Sequence, residues 1–356
     1  MGAGGMNAWK RIVVALATVL VTGAVGLLAP PAPAEVIGNW DFSSGAPLTA
    51  QSSISGMSLV SLPTTGIYAA FGGPPNPPPL EYKSTSEFGI TSLAGNTGRV
   101  MRVPDMSGRG PATGLMATFP LRANGVSSAG PAVKLNRYSV VMDVLVPSTS
   151  FGGPKDYINL FQPRANADGS LFLREPSRSI GGANYSQPNT FLPDTWYRLA
   201  LVMNLDAASN VPRYESFLNG QKVGEIIWDN IVVENDRDNV LKTKDLVVDG
   251  AWSIGSASDT NPLLGSYYPS SSAFFLFNDN NGELGELYVA NLQFRDSAMT
   301  QAEVAQLGAA TGGVIAVPEP TSLVIAGTAL LCLGGAAVRR QRTASSRQGR
   351  RNRASG

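Results

Sequence analysis

The sequence predicts an all-β fold, a two-sheet antiparallel jelly-roll sandwich. It adds one short C-terminal helix and, separate from that, a C-terminal transmembrane helix. Three observations carry the prediction. Short runs rich in Val, Ile, Leu, Tyr and Phe recur along the chain, as pleated and half-buried strands require. Gly, Pro, Asn and Asp punctuate those runs, and the 356 residues include 39 Gly and 25 Pro. Helical signals are confined to one short stretch near the end. Many short strands divided by turn formers pack as a sandwich or jelly roll.

In chain order, RYSVVMDVLV (137–146) is β-branched and stops at Pro147. YINLFQ (157–162) alternates, and SLFLR (170–174) follows the turn NADG. WYRLALVMNL (196–205) is the longest apolar strand candidate. RYESFLNGQKVGEIIW (213–228) reads as a hairpin, because Asn219-Gly220 suits a two-residue turn with both central residues at positive φ. AFFLFND (273–279) and ELYVANLQF (286–294) complete the strands. In TQAEVAQLG, Thr300 is the N-cap, Glu303 its capping-box partner and Gly308 the stop. GGPPNPPP (72–79) is an exposed loop, since proline has no N–H to give a ladder or a helix.

The two ends differ from this body. Lys10 and Arg11 precede an apolar stretch at 12–28, and Ala32 and Ala34 supply a small-residue cleavage pattern. This is a signal peptide, with Glu35 starting the mature chain. At the other end, Val317, Pro318, Glu319 and Pro320 lead into the uncharged run 321–338, long enough to cross a bilayer as a helix. Arg339, Arg340 and Arg342 follow and hold that end on the cytoplasmic side. The chain therefore divides into a signal peptide (1–34), a β-sandwich domain (35–316), a terminal signal with its membrane helix (317–342) and a basic tail (343–356).

The body between the ends is acidic. Two basic residues precede it and seven arginines follow Val338, while Glu319 is the one acidic residue outside it, which leaves 18 basic against 25 acidic residues and a net charge of −7. Nucleic-acid binding needs clustered Lys and Arg and is excluded. The one cysteine, Cys332, lies in the membrane run, so the body folds without a disulfide. The chain has no histidine. That removes His-based acid/base and nucleophile pairs and ordinary zinc sites, and it leaves calcium held by oxygen ligands as the expected metal.

The tail resembles the PEP-CTERM sorting signal of Gram-negative bacteria, with the box at Pro318, Glu319 and Pro320, then the membrane helix, then the cluster beginning at Arg339 and Arg340. The resemblance implies recognition by an exosortase-type transpeptidase, an inner-membrane intermediate, and delivery to the cell surface, outer membrane or extracellular matrix. The body resembles the laminin-G-like, concanavalin A-like sandwich in three stretches: DTWYRLALVMNL (194–205), YESFLNGQKVG (214–224) and GELYVANLQFRDSAMTQAEVAQLG (285–308). NWDFSSG (39–45) is then the first strand, beside the last. That likeness implies a jelly roll and fixes no activity.

Candidate sites follow from residue chemistry. FNDNNGELGE (277–286) is the densest run of oxygen ligands, with Asp279, Asn281, Glu283 and Glu286 as calcium candidates, although the spacing is not that of an EF-hand. The plain alternative is a polar hairpin turn. Trp228, Trp252, Tyr267 and Tyr268 are candidates for stacking on sugar rings, whereas Trp196 begins the most apolar strand and belongs to the core. Glycosidase chemistry asks for paired carboxylates on one strand face, and Glu283 and Glu286 fall on opposite faces of a regular strand. Lyase chemistry without histidine uses Tyr with Arg or Lys, and Tyr157, Tyr185, Tyr267 and Tyr268 are available. The function expected is an exported, non-catalytic sandwich that binds extracellular polysaccharide or serves structurally. The alternative is a polysaccharide hydrolase or lyase on the same fold.

Overall fold

The computed structural model describes residues 35–44, 57–62, 78–95, 98–106, 114–127, 130–152, 156–164, 171–182, 185–227, 248–250, 252–260, 266–268, 270–279 and 282–316. Several expectations lie outside the described residues: the signal peptide with Ala32 and Ala34; Val317, Pro318, Glu319, Pro320, Arg339 and Arg340; the membrane helix 321–338; Trp228; Asn281; and most of the proline-rich loop. Among the described residues, no helix is long and apolar enough to cross a membrane.

Two antiparallel sheets pack face to face, as the strand pattern predicts. The larger runs in the order β14 (Gln221–Ile227), β13 (Pro212–Leu218), β12 (Trp196–Asn204), β8 (Arg137–Leu145), β16 (Leu287–Arg295), β4 (Val100–Val103), β3 (Glu81–Lys83). β1 (Val36–Asp41) pairs with the later half of β16, along the edge that β4 uses in the earlier half. The smaller runs β11 (Ser179–Gly181), β10 (Leu171–Arg174), β9 (Tyr157–Gln162), β15 (Ser271–Leu276), β5 (Leu115–Pro120), β2 (Ser58–Ser61). β6 (Val126–Ser127) and β7 (Gly130–Pro131) form a separate ribbon.

Period-two alternation builds the core. From β8, Tyr138, Val140, Met142 and Val144 point between the sheets and meet Phe161, Phe274 and Phe294. The ring centroids of Phe274 and Phe294 are 4.6 Å apart. The other face of β8 is buried as well, which is why its sequence reads as an unbroken apolar run. What covers it is the C-terminal segment. The helix Gln301–Leu307 and the chain after it lay Met299, Val304, Leu307 and Ile315 on Val141, Ala200, Val202 and Phe217. This helix has the predicted capping box between Thr300 and Glu303.

Polar side chains on the sheet clasp this strap. Arg198 pairs with the fully buried Asp143 through Nε–Oδ1 (2.7 Å) and Nη2–Oδ2 (2.8 Å), and its Nη1 donates to the Leu307 carbonyl at 2.6 Å. Asn291 donates to Asp143 and to the Thr311 carbonyl, and Gln293 donates to the Ile315 carbonyl. Burial pushes the Asp143 carboxyl up, and Arg198 and Asn291 pull against it.

The hairpin turn forms as expected, with Asn219 at φ 51° and Gly220 at φ 81°. β1 begins at Val36, ahead of the expected 39–45, because Asp41 caps a 3₁₀ turn by accepting from the Ser43 N–H. β15 ends at Leu276, short of 279, because Phe277 takes a positive φ of 51° and leaves the ladder.

Candidate functional site

The outer face of the smaller sheet is set by register. Ile158 and Leu173 face each other and point into the core, so their neighbours Tyr157, Asn159, Phe172 and Arg174 point outward. Tyr157 lies opposite Arg174, and Asn159 opposite Phe172. A bulge between Leu171 and Phe172 makes this alignment. It lets Leu160 and Phe161 both enter the core and turns Tyr157 and Asn159 to the outer face, beside Arg174 and Phe172. Tyr185 is brought to the same end by its bridge to Gly181.

These side chains form an aromatic patch around one cation. The Tyr157 ring meets Phe172 edge-on at 5.7 Å and lies 6.2 Å from Tyr185. The Arg174 guanidinium lies over both tyrosines, 5.8 Å from one centroid and 5.9 Å from the other. Arg174 is exposed and makes no ion pair among the described residues. Burial pushes the Tyr185 phenol up, and the neighbouring Tyr157 adds to that, so it stays neutral and able to donate.

A row of buried amides lies beside the patch. Asn159 Nδ2 donates to the Asn278 carbonyl at 2.6 Å and to Gln162 Oε1 at 3.1 Å, and Gln162 Nε2 donates to Asn278 Oδ1. Asp279 Oδ2 accepts from the Glu283 N–H at 3.0 Å, and the Asn159 N–H donates to the Glu283 carbonyl at 2.8 Å. The loop after β15 is thereby tied to β9. Asn159 Oδ1 is buried and finds no hydrogen-bond partner. Two tyrosines and a guanidinium can stack on apolar sugar faces and hydrogen-bond hydroxyl or carboxylate groups, while the buried amide row fixes the loop behind them.

The expected site residues fall elsewhere or are already engaged. Trp252 is in the core: it is 6% exposed, its ring meets Tyr214 at 5.5 Å, and its carbonyl accepts from Tyr138. Its faces are covered by protein, so it offers no stacking surface. Trp196 is buried on the outer face of the larger sheet, under Ile90 and Phe88. Tyr267 is exposed, and Tyr268 is half-buried against Met116, Ala257 and Phe275. Both tyrosines are at the opposite end of the smaller sheet, where β15 begins.

Asp279 is fully buried and bound within the protein, while Glu286 accepts from Arg102 at 2.5 Å and from Tyr288 at 2.6 Å. Glu81 takes the other side of Arg102, and its carboxyl is held low by Lys83, with Arg102 adding to that, against the opposing effect of burial. The loop therefore sends Asp279 into the amide row and Glu286 to a separate ion cluster on the larger sheet. Among the described residues, no group of three or more Asp, Glu, Cys or His side chains is placed to hold a metal.

Sequence reasoning had Tyr157 and Tyr185 as loose candidates and missed Phe172, Arg174 and Asn159. The signal available was the hairpin flanking NADG, which makes 157–162 and 171–174 neighbours. The bulge that decides which side chains share a face leaves no mark in the sequence.

The sequence matches no protein-family model and no curated protein. Among solved structures, the fold is similar to domain 4 of AbnA, a GH43 extracellular arabinanase from Geobacillus stearothermophilus, in complex with arabinotriose. There the identity is 13%, the coverage 78% of this chain and 100% of that one, and the TM-score 0.36. It is also similar to the ligand binding domain of botulinum neurotoxin serotype D in complex with N-acetylneuraminic acid, at 8% identity, 76% and 50% coverage, and TM-score 0.39. A third is Trypanosoma rangeli sialidase in complex with sialic acid, at 12% identity, 76% and 32% coverage, and TM-score 0.36. This chain spans half or less of the length of the last two. Likeness at this level carries no argument about this chain, and the two-sheet sandwich rests on its own strand pairings.

Proposed function

We propose that this is an exported cell-surface or extracellular-matrix protein whose sandwich binds an extracellular polysaccharide without cleaving it. Its C-terminal PEP-CTERM-like segment is, in this proposal, the substrate of an exosortase-type transpeptidase. The observation that carries the binding reading is the Tyr157–Phe172–Tyr185 patch with the exposed Arg174 stacked on its tyrosines. A cation without an ionic partner among the described residues, on a body of net negative charge, favours a glycan bearing carboxylates. Stacked tyrosines supply contact to sugar C–H faces at low entropic cost, and the amide row holds the loop behind them.

The test is affinity electrophoresis through acidic and neutral polysaccharides, with calcium and with EDTA. Retardation by an acidic glycan, lost in Arg174→Gln and Tyr157→Ala, is the expected result. Unretarded migration through the whole panel overturns the binding reading. Retardation that EDTA abolishes would show a divalent-cation requirement that the Arg174 patch does not supply and would overturn the patch as the site. Release of new reducing ends from a retarding glycan would replace binding with hydrolysis.

A further inference from the structure

Both ends of the described domain lie at one end of the sandwich. At the N-terminal side, Val36 lies opposite Arg295 in the ladder, and the Asp296 N–H donates to the Glu35 carbonyl at 3.3 Å. At the C-terminal side the strap runs away from that point and returns to it. Its helix reaches Arg198 at Leu307, the chain turns near Asn291 at Thr311, and it comes back so that Gln293 holds Ile315 and Arg295 Nη2 lies 3.5 Å from the Ala316 carbonyl. The stretch from Ala316 to the apolar run at 321 is five residues, which span at most roughly 18 Å. A bilayer that holds residues 321–338 therefore holds this end of the domain within reach of its surface.

That same end carries the exposed apolar side chains. Seven large hydrophobic residues are exposed among the described residues, and five of them are here, on loops and the β6 ribbon: Leu121 (54%), Val126 (69%), Val133 (76%), Val211 (39%) and Tyr267 (53%). Leu121 follows β5, Val126 and Val133 precede β8, Val211 precedes β13 and Tyr267 precedes β15. The ends in the larger sheet are level with Arg295 by the registers of β8 with β12 and β16, and the β5–β15 end is held beside it by the ion pair of Arg122 with Asp296. Hydrogen bonds hold the loops there: Val126 N–H to Asp206, Val133 N–H to Asp249, Leu121 N–H to the Ser270 carbonyl. Singly exposed apolar residues need no explanation, but a concentration on one face does. Arg122, Lys134 and Arg137 stand among them, with stems suited to the headgroup region.

We propose that this loop end is a lipid-facing surface, resting on the bilayer that holds the chain's own C-terminal run, with Leu121, Val126, Val133, Val211 and Tyr267 at the interface. The proposal rests on the reading of residues 321–338 as a membrane span. It gives the molecule a polarity. Tyr157 begins β9 at the opposite end of the smaller sheet, about 30 Å along the strands from the start of β15, so the aromatic patch faces away from the membrane.

The test uses the full chain with Cys332→Ser and a single new cysteine, Val133→Cys or Gln187→Cys, labelled with bimane. Each protein is incorporated in phospholipid vesicles containing a headgroup-nitroxide lipid. Gln187 is exposed on the loop before β12, at the end of the patch. The expected result is loss of most bimane emission at 133 and none at 187, with partial recovery at 133 when Leu121→Ser and Val126→Ser are added. Undiminished emission at both positions in protein that floats with the vesicles overturns the lipid-facing surface and leaves the membrane span intact. Protein that fails to float overturns the span and, with it, this proposal. Equal quenching at both positions also overturns it, because a domain lying on its side has no outward end.

Discussion

Replacing Arg198 by Met tests the clasp between the sheet and its strap. Arg198 makes two charge-assisted bonds to Asp143, one to the Leu307 carbonyl and a longer one to the Thr311 hydroxyl, and side-chain exposures are 5% for Arg198 and 0% for Asp143. The substitution leaves a fully buried carboxylate with Asn291 at 2.9 Å as its remaining side-chain donor. Breaking a buried pair from one side costs about 3–5 kcal/mol, since the surviving charge keeps its desolvation penalty. The carboxyl can escape by binding a proton. Its folded pKa is already raised by burial, and losing Arg198 raises it further.

A group whose pKa is higher folded than unfolded gains relative stability as pH falls between the two values. The deficit of the variant should therefore shrink by up to about 1.4 kcal/mol per pH unit from pH 7 toward 5. Adding Asp143→Asn should recover part of the loss at pH 7 and remove the pH dependence. The assay is urea unfolding, read as the shift of the midpoint at unchanged slope. A deficit below about 1 kcal/mol at pH 7, or one that does not change with pH, refutes the account of an uncompensated charge.

Further outcomes follow from other parts of the structure. Arg174→Gln and Tyr157→Ala should each weaken glycan retardation about tenfold, roughly 1.4 kcal/mol, with the unfolding midpoint nearly unmoved because both side chains lie on the outer face. Gly114→Ala should lower stability by about 3 kcal/mol or more, since the residue has φ +79° and a Cβ would lie 2.0 Å from the Phe277 carbonyl; a normal urea midpoint would contradict it. Asp206 is pushed up by burial, but Arg137 and the Val126 N–H outweigh this and hold it below the ordinary aspartate value. A carboxyl depressed in the fold adds stability above about pH 4 that is lost as pH falls further, so Asp206→Asn should flatten the acid limb of a stability–pH curve. An unchanged acid limb would show that the pair with Arg137 does not persist in solution.

The sequence predicted elements whose information is local. β8, β9 and β12, the Asn219-Gly220 hairpin and the Thr300–Glu303 capping box lie where propensity, alternation and turn chemistry agree. Less visible were strands whose identity comes from their neighbours. β2, β3 and β4 are three or four residues long and acquire their burial from β5 and β16. Trp252 was a stacking candidate by its ring alone, yet Tyr138 and Tyr214 draw it inward from distant strands. The patch was legible in part: Tyr157 and Arg174 end two consecutive strands, but without the bulge Ile158 would take the place of Tyr157 opposite Arg174 on the outer face.

Coverage of the faces explains why a ligand site would form at one end of the smaller sheet. The outer face of the larger sheet is occupied along β8, β12 and β16 by the strap, and its far edge by Phe88, Ile90 and Leu93 over Val100 and Tyr288. On the smaller sheet, Leu62, Ala257 and Tyr268 close over Met116, Ala273 and Phe275 near the start of β15. What continues beyond that lid is the β9–β10 end, where large side chains meet one another on the outer face and the loop after β15 supplies polar backing. A strand pair that kept Phe161 opposite Leu171 and ran on without the bulge would place Ile158 opposite Arg174 and turn Tyr157 toward the core. Leu160 is the extra residue that brings Tyr157 level with Arg174, so deleting it, which leaves the 157–174 pairing in a regular ladder, should keep the preference for acidic ligands while lowering the urea midpoint through the loss of a core side chain; a lost preference would contradict this pairing.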